Sequence, residues 1–247
     1  MLGKSFLVRG GKLIFDLHVH TAKGSPDSSL TPSQLISEAK RIRLDGVCVT
    51  EHGRVWNKYD VETLNGQHDI LIIRGMEVDT DLGHILVFGL DNYVSGIHRA
   101  TDLRCVISEI GGFMIAVHPF RRAFDKPIPS FGQRFSPPPS LKEATNMDLF
   151  QLVDEIEVVN GACSDRENFF ALQVAKKLGW RGTGGSDAHS THGLGCFATV
   201  FEREIRSEVE FIAELKAGRF YPAEGLLDGE LAAYGDGVTE FDLEPRP

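Results

Sequence analysis

The chain has 247 residues, 42% of them hydrophobic, enough for a buried core in one large domain or two small ones. With 26 basic against 35 acidic residues and a net charge of -9, it lacks the basic footprint of broad nucleic-acid binding, and no run of eighteen apolar residues predicts a transmembrane helix. Cys48, Cys105, Cys163 and Cys196 have no Cys-x-x-Cys spacing, which excludes a zinc ribbon or thioredoxin site and points to a reduced, cytoplasmic setting; Met1 to Gly10 hold no apolar signal segment.

The first predicted element is a strand ending in Asp16-Leu17-His18-Val19-His20, where His18 and His20 share a face roughly 6.6 Å apart along the chain. A loop of small and polar residues (21–29) follows. Thr31-Pro32-Ser33-Gln34 then reads as an N-cap with Pro at the first helical position and a capping-box Gln, and the helix is expected to close at Gly46. Val47–Thr50 is a strand ending in Glu51-His52-Gly53, which makes the first unit strand–helix–strand, a parallel pair with a right-handed crossover. Strands are predicted at Ile70–Ile73, before Glu77, and at Gly83–Gly89, the latter beginning with His84 in a hairpin-like excursion. Asp102–Ile110 is a predicted helix, and Phe113–Val117 a strand ending in His118-Pro119. The proline-rich stretch from Phe120 to Ser140 has the length of a functional lid or a disordered loop. Leu141–Leu152 is a predicted helix, Glu155–Val159 a strand ending in Asn160, and Asp165–Leu178 a helix closed by Gly179. Arg181–Gly185 is a strand leading to Asp187 and His189, and Ser207–Ala217 is the last helix. The tail from Glu224 is acidic and Gly-rich, an extension or a dimer contact. No repeat or linker interrupts the pattern, so residues 1–247 are expected to form one domain, a (β/α) barrel or related wound sheet over about 13–220 with a tail at about 224–247.

In such barrels chemistry sits at the C-terminal ends of the strands. His18, His20, Glu51, His52, Glu77, His118, Asp187 and His189 all fall there. His84 joins them if its strand runs back from Glu77, and Asp27 can fold over the same mouth from the first loop. Of nine histidines only His68, His98 and His192 lie outside this set. Imidazole and carboxylate donors without thiolate suit divalent Zn, Mn or Fe. The donors are too many for one tetrahedral ion, so two or three ions are expected, bridged by Glu77.

These motifs together (Asp16 to His20, Glu51-His52-Gly53, Glu77, His84, His118-Pro119, and Asp187-Ala188-His189) resemble the PHP superfamily, named for polymerase and histidinol phosphatase. The resemblance implies a distorted (β/α)7 barrel, a trinuclear metal site and, in many members, phosphoesterase activity. Carried over by position, it implies that His18, His20, Glu77 and Asp187 hold one ion, Glu77, His84 and His118 a second, and Asp27, His52 and His189 a third. Two departures stand out. The loop from His20 to Asp27 is longer than the pattern, so that Ser25 or a water could replace Asp27. Glu51 replaces an aspartate, with the expected role of orienting His52.

Arg121, Arg122, Lys126 and Arg134 form a basic stretch against Asp125, and a guanidinium fork matches phosphate oxygens. Arg121 and Arg122, with His189 and Glu51, are therefore the residues expected to serve the reaction. Asn160 and His192 are candidate substrate contacts, and Trp56 and Tyr59 candidate pocket walls. The expected reaction is hydrolysis of a small phosphate ester, a phosphomonoester or nucleotide, by metal-activated water. Long nucleic acid and membrane are not expected partners; oligomers are compatible with the sequence. The rival readings are an amidohydrolase-type hydrolase and a non-catalytic metal-binding module.

Overall fold

The computed structural model of the chain describes residues 11–125 and 137–236; Lys126, Arg134, Pro127, Pro129 and the end of the tail lie outside the described residues. Seven strands run side by side in chain order: β1 (Leu13–Val19), β2 (Gly46–His52), β3 (Leu71–Thr80), β4 (Gly83–Phe88), β5 (Phe113–Ala116), β6 (Glu155–Asn160) and β7 (Thr183–Gly185). All pairings are parallel except those of β4, which returns antiparallel from β3. The sheet curls until its seventh member meets its first. Val19 and Ala188 form a parallel bridge, and His20 N–H donates to the Ala188 carbonyl at 3.0 Å. This is the distorted (β/α)7 barrel that the resemblance implies. On the seam edge of β1, along Leu13–Phe15, β8 (Phe197–Phe201) pairs antiparallel, and β9 (Phe220–Glu224) and β10 (Ala232–Ala233) extend the sheet in the same way.

Local chemistry sets the helices. In α1 (Pro32–Arg41) the Thr31 cap and Gln34 form the expected capping box, and Leu35, Ile36 and Ala39 turn inward against β1 and β2. This helix ends earlier than expected, with the chain turning through Arg43 at φ 64. Gly46 does not cap it but begins β2, where a Cβ would run into the Phe15 ring. An unpredicted helix, α2 (Lys58–Gln67), buries only Val61 and so leaves almost no apolar stripe to read. α3 (Ala100–Ile110) ends at Gly111 in left-handed backbone. The single helix expected at 141–152 is two short ones, α4 (Leu141–Thr145) and α5 (Leu149–Leu152), broken at Asn146. α6 (Asp165–Leu178) has its predicted bounds and Gly179 cap.

The barrel interior away from the histidines is aromatic. Phe211 of α7 (Glu208–Ala217) packs against Phe15, Phe88 and Phe201 at ring-centroid distances of 5.8, 5.0 and 5.4 Å. Each ring of this kind is worth about 1.5–3 kcal/mol of burial, so the strand ends above it are held on a rigid base. No helix among the described residues is long and apolar enough to cross a membrane.

One buried acid makes folding depend on pH. Burial pushes the Glu155 carboxyl up to about 7, although backbone N–H groups of Ile156, Gly182 and Arg181 donate to it. A raised carboxyl binds more protons folded than unfolded, so its contribution is most favourable below pH 4.5 and is lost as pH rises towards 7. In urea titrations at pH 4.5 and pH 8, with chelator present, Glu155→Gln should therefore gain about 1–3 kcal/mol on the wild type between the two pH values. Parallel pH dependence in the two proteins would contradict this.

Candidate metal centre

Strand alternation delivers the first donors. His18 and His20 leave the end of β1 on one face, and Glu77 rises from β3 two strands away; all three are buried. Asp187 follows β7 across the barrel seam. His18 Nε2 lies 3.6 Å from both Glu77 Oε2 and Asp187 Oδ1, and His20 Nε2 lies 3.3 Å from the same two oxygens. Donors bound to one tetrahedral ion at 2.0–2.2 Å stand roughly 3.4 Å from each other. The four atoms therefore have the spacing of a coordination shell.

Around Glu77 the remaining donors gather. His84 Nδ1 is 2.7 Å and His118 Nε2 3.1 Å from Oε1, and His52 Nδ1 is 3.0 Å from Oε2. The antiparallel return of β4 brings His84 here, as its position at a strand start requires. Asp27 Oδ2 lies 3.3 Å from both His52 Nε2 and His189 Nε2, so Asp27, not Ser25, faces the third pair of imidazoles. His20 is sandwiched between the rings of His52 and His189, at 4.3 and 4.4 Å. Three sets of donor atoms lie within 4.8 Å of one another: His18, His20 and Asp187; His18, Glu77 and His118; and His20, His52 and His189. Neither His84 nor Asp27 belongs to these sets; His84 touches the nest through Glu77, and Asp27 through His52 and His189. His118 and Asp187 are held at φ 32 and 53, a strained backbone that non-glycine residues keep where the surroundings over-determine it, often at functional sites.

The supporting shell fixes which nitrogen faces inward. His18 Nδ1 bonds Glu157 Oε1 at 3.1 Å, and His189 Nδ1 donates to the Asp187 carbonyl at 2.9 Å. His20 Nδ1 donates to Ser25 Oγ at 3.2 Å, whose own hydroxyl is given to Glu51 at 2.6 Å. Each ring thus presents Nε2 to the cavity. His18 Nε2, His20 Nε2 and Glu77 Oε2 are buried and make no hydrogen bond of acceptable geometry, His52 Nδ1 lying near Oε2 without being aligned to it. Orphaned buried donors and acceptors are costly and rare. Three of them converging from β1 and β3, in a nitrogen and carboxylate set, fit divalent cations. Charge follows the same logic. Burial disfavours ionised Glu77, but His118, His18, His52 and His84 overcome it and hold the carboxyl well below its usual range. Burial likewise opposes protonated His18, yet Asp187 and Glu157 push it well above the ordinary imidazole value. Asp187 is pulled down by His18, His20 and His118 against its burial. Divalent cations bound here would displace the protons of this network.

Several expectations need correcting. Glu51 does not orient the His52 ring. Neighbouring strand residues face opposite ways, so Glu51 points into the first loop, accepting bonds from Thr21, Ser25 and Trp56, and acts on His20 through Ser25. It is a positioning residue, not a group that meets substrate. Trp56 is buried on this carboxylate and Tyr59 is exposed on α2, so neither is placed as a pocket wall. Asn160 is buried, bonding Glu157 and the Ala162 N–H, and His192 is exposed. Arg121 reaches the site, its Nη1 3.5 Å from Asp187 Oδ2, while Arg122, exposed at φ 61, makes no ion pair among the described residues. The residue sequence reasoning missed is Glu157. Its two oxygens hold His18 Nδ1, the His118 N–H (3.0 Å) and Asn160 Nδ2 (2.9 Å), and Gly185 has no side chain because a Cβ there would meet His18 and Glu157.

Comparison with known proteins agrees with this geometry. Residues 16–121 match the PHP domain and 165–220 the PHP-associated segment. An uncharacterized protein of Methanocaldococcus jannaschii is 26% identical over 115 residues, 42% of this chain and 67% of its own. A Bifidobacterium adolescentis structure described as a metal-dependent phosphoesterase superposes with a TM-score of 0.59 at 16% identity, covering 81% of this chain and 96% of that one. Two others share the fold at 17% identity: an amidohydrolase from Chromobacterium violaceum (TM-score 0.54; 83% and 96% covered) and the lesion-specific endonuclease PfuEndoQ from Pyrococcus furiosus (0.55; 85% and 57%). With its strand-end motifs, both matched segments and the curled sheet in agreement, the chain belongs to the PHP superfamily.

Proposed function

We propose that the protein hydrolyses a small phosphate ester, a phosphomonoester or nucleotide, at a centre of two or three divalent ions. The observation that carries this reading is the trio of orphaned donors, His18 Nε2, His20 Nε2 and Glu77 Oε2, buried beside a guanidinium. His18, His20, Glu77 and Asp187 would hold one ion, with His84 and His118, and Asp27, His52 and His189, around Glu77 for the others. Bound ions would supply Lewis acidity and a water acidic enough to attack phosphorus near neutral pH.

The chain's own residues do the rest. Arg121 is 41% exposed, so its fork is free to turn from Asp187 and take two phosphoryl oxygens, neutralising charge as the leaving oxygen departs. Glu157, Ser25 and the Asp187 carbonyl keep the imidazoles from rotating, so positioning and electrostatics, not a protein nucleophile, drive the reaction. β6 presents Glu157 and Asn160 and no histidine, which disfavours the amidohydrolase reading.

The purified protein should hydrolyse p-nitrophenyl phosphate with added Mn, lose the activity to chelator and regain it with metal. Matched ester and amide panels decide between classes. Cleavage of amides alone, or stoichiometric metal with no ester turned over, overturns the proposal in favour of an amidohydrolase or a non-catalytic module.

A further inference from the structure

Beside Glu77 a cavity of about 310 Å³ opens between β3, β4 and the segment before α3. Its imidazoles are His52, His84 and His98, with Tyr93, Asp79 and Val78 among the other walls. His52 is engaged by Glu77 and Asp27, and His84 by Glu77 and Asp79. The His98 ring is engaged by no hydrogen bond or ion pair among the described residues. Its backbone is nonetheless fixed. The His98 carbonyl accepts the Asp81 N–H at 2.9 Å, Ile97 before it is buried, and Asp81 Oδ1 caps Ala100 at 2.9 Å where α3 begins. An imidazole that is not a candidate ligand is thus held on the wall of a cavity that opens on Glu77.

We propose that this cavity receives the leaving group and that His98 is the general acid that protonates it. The inference rests on the phosphoesterase reading. Water adds its oxygen to phosphorus and loses a proton to solvent. The phosphorus–oxygen bond to the leaving group breaks with its electron pair on that oxygen, and the His98 imidazolium gives its proton there, to be reprotonated from solvent. The wall contains Asp79 and no Lys or Arg among the described residues, so the leaving group is a neutral or cationic alcohol and not one bearing a second phosphate.

A general acid matters in proportion to how poor the leaving group is. His98→Gln should lower kcat on an alkyl phosphate by about 10²–10⁴-fold, and on p-nitrophenyl phosphate at least tenfold less. Binding gives a readout independent of turnover: the His98 ring resonance, assigned by its absence in His98→Gln, should shift when phenylphosphonate is added, while that of His68 should not. An equal loss on both esters, or no loss on either, overturns the general-acid role while leaving the phosphoesterase reading intact, and an unmoved His98 resonance overturns the cavity assignment. A wild-type protein that hydrolyses neither ester overturns both readings together.

Discussion

Glu77→Gln is expected to remove hydrolysis and most of the bound metal together. Five imidazoles surround the Glu77 carboxylate, His84 and His118 at Oε1 and His18, His20 and His52 at the orphaned Oε2. No other side chain in the nest addresses five imidazoles. The amide keeps the shape but removes the charge, and turns one acceptor into a donor that faces donors or cations. We expect kcat/KM on p-nitrophenyl phosphate to fall by at least about 10³-fold, equivalent to about 4 kcal/mol of transition-state stabilisation. Metal content after dialysis should drop from two or three ions per chain to at most one, with the circular dichroism of the fold retained. Full metal content in the variant would refute the bridging role.

Glu157→Gln should act on the same centre without touching an ion. The carboxylate accepts from three donors, and an amide satisfies at most part of that set, leaving an N–H group pointed at another N–H. It also ceases to favour the Nδ1–H form of His18. Losses of such supporting carboxylates typically cost 10–100-fold in metal affinity or activity. Competition with a chromophoric chelator should show a drop of about that size, and raising the metal concentration should restore part of the turnover. Affinity within twofold of wild type would mean that Glu157 is only packing.

Why one carboxylate was legible and the other was not is a matter of location. His18, His20, His52, Glu77, His118, Asp187 and His189 announce themselves because polar, metal-binding side chains at the ends of apolar strands have little other use there. Glu157 sits inside β6 between Ile156 and Val158, where an acid two residues after Glu155 reads as an outward-facing position. In the closed barrel that position is buried, so the acid there needs partners. Glu51 follows strand alternation and faces the first loop, opposite to its neighbour His52. α2 escaped because KYDVETLNGQ has no apolar face, and β9 because Pro222 interrupts a short run. His98 could not be found from sequence at all: its place is set by the Asp81 contact across a turn.

The seam at Val19 and Ala188 has an implication of its own. The last staves of the ring meet through one bridge, flanked on one side by His18 and His20 and on the other by Asp187 and His189. Cations gripped by both groups would act as rivets across the weakest joint, because binding energy realised only in the closed form is folding energy. The same ions that serve catalysis would then also keep the cylinder from springing open.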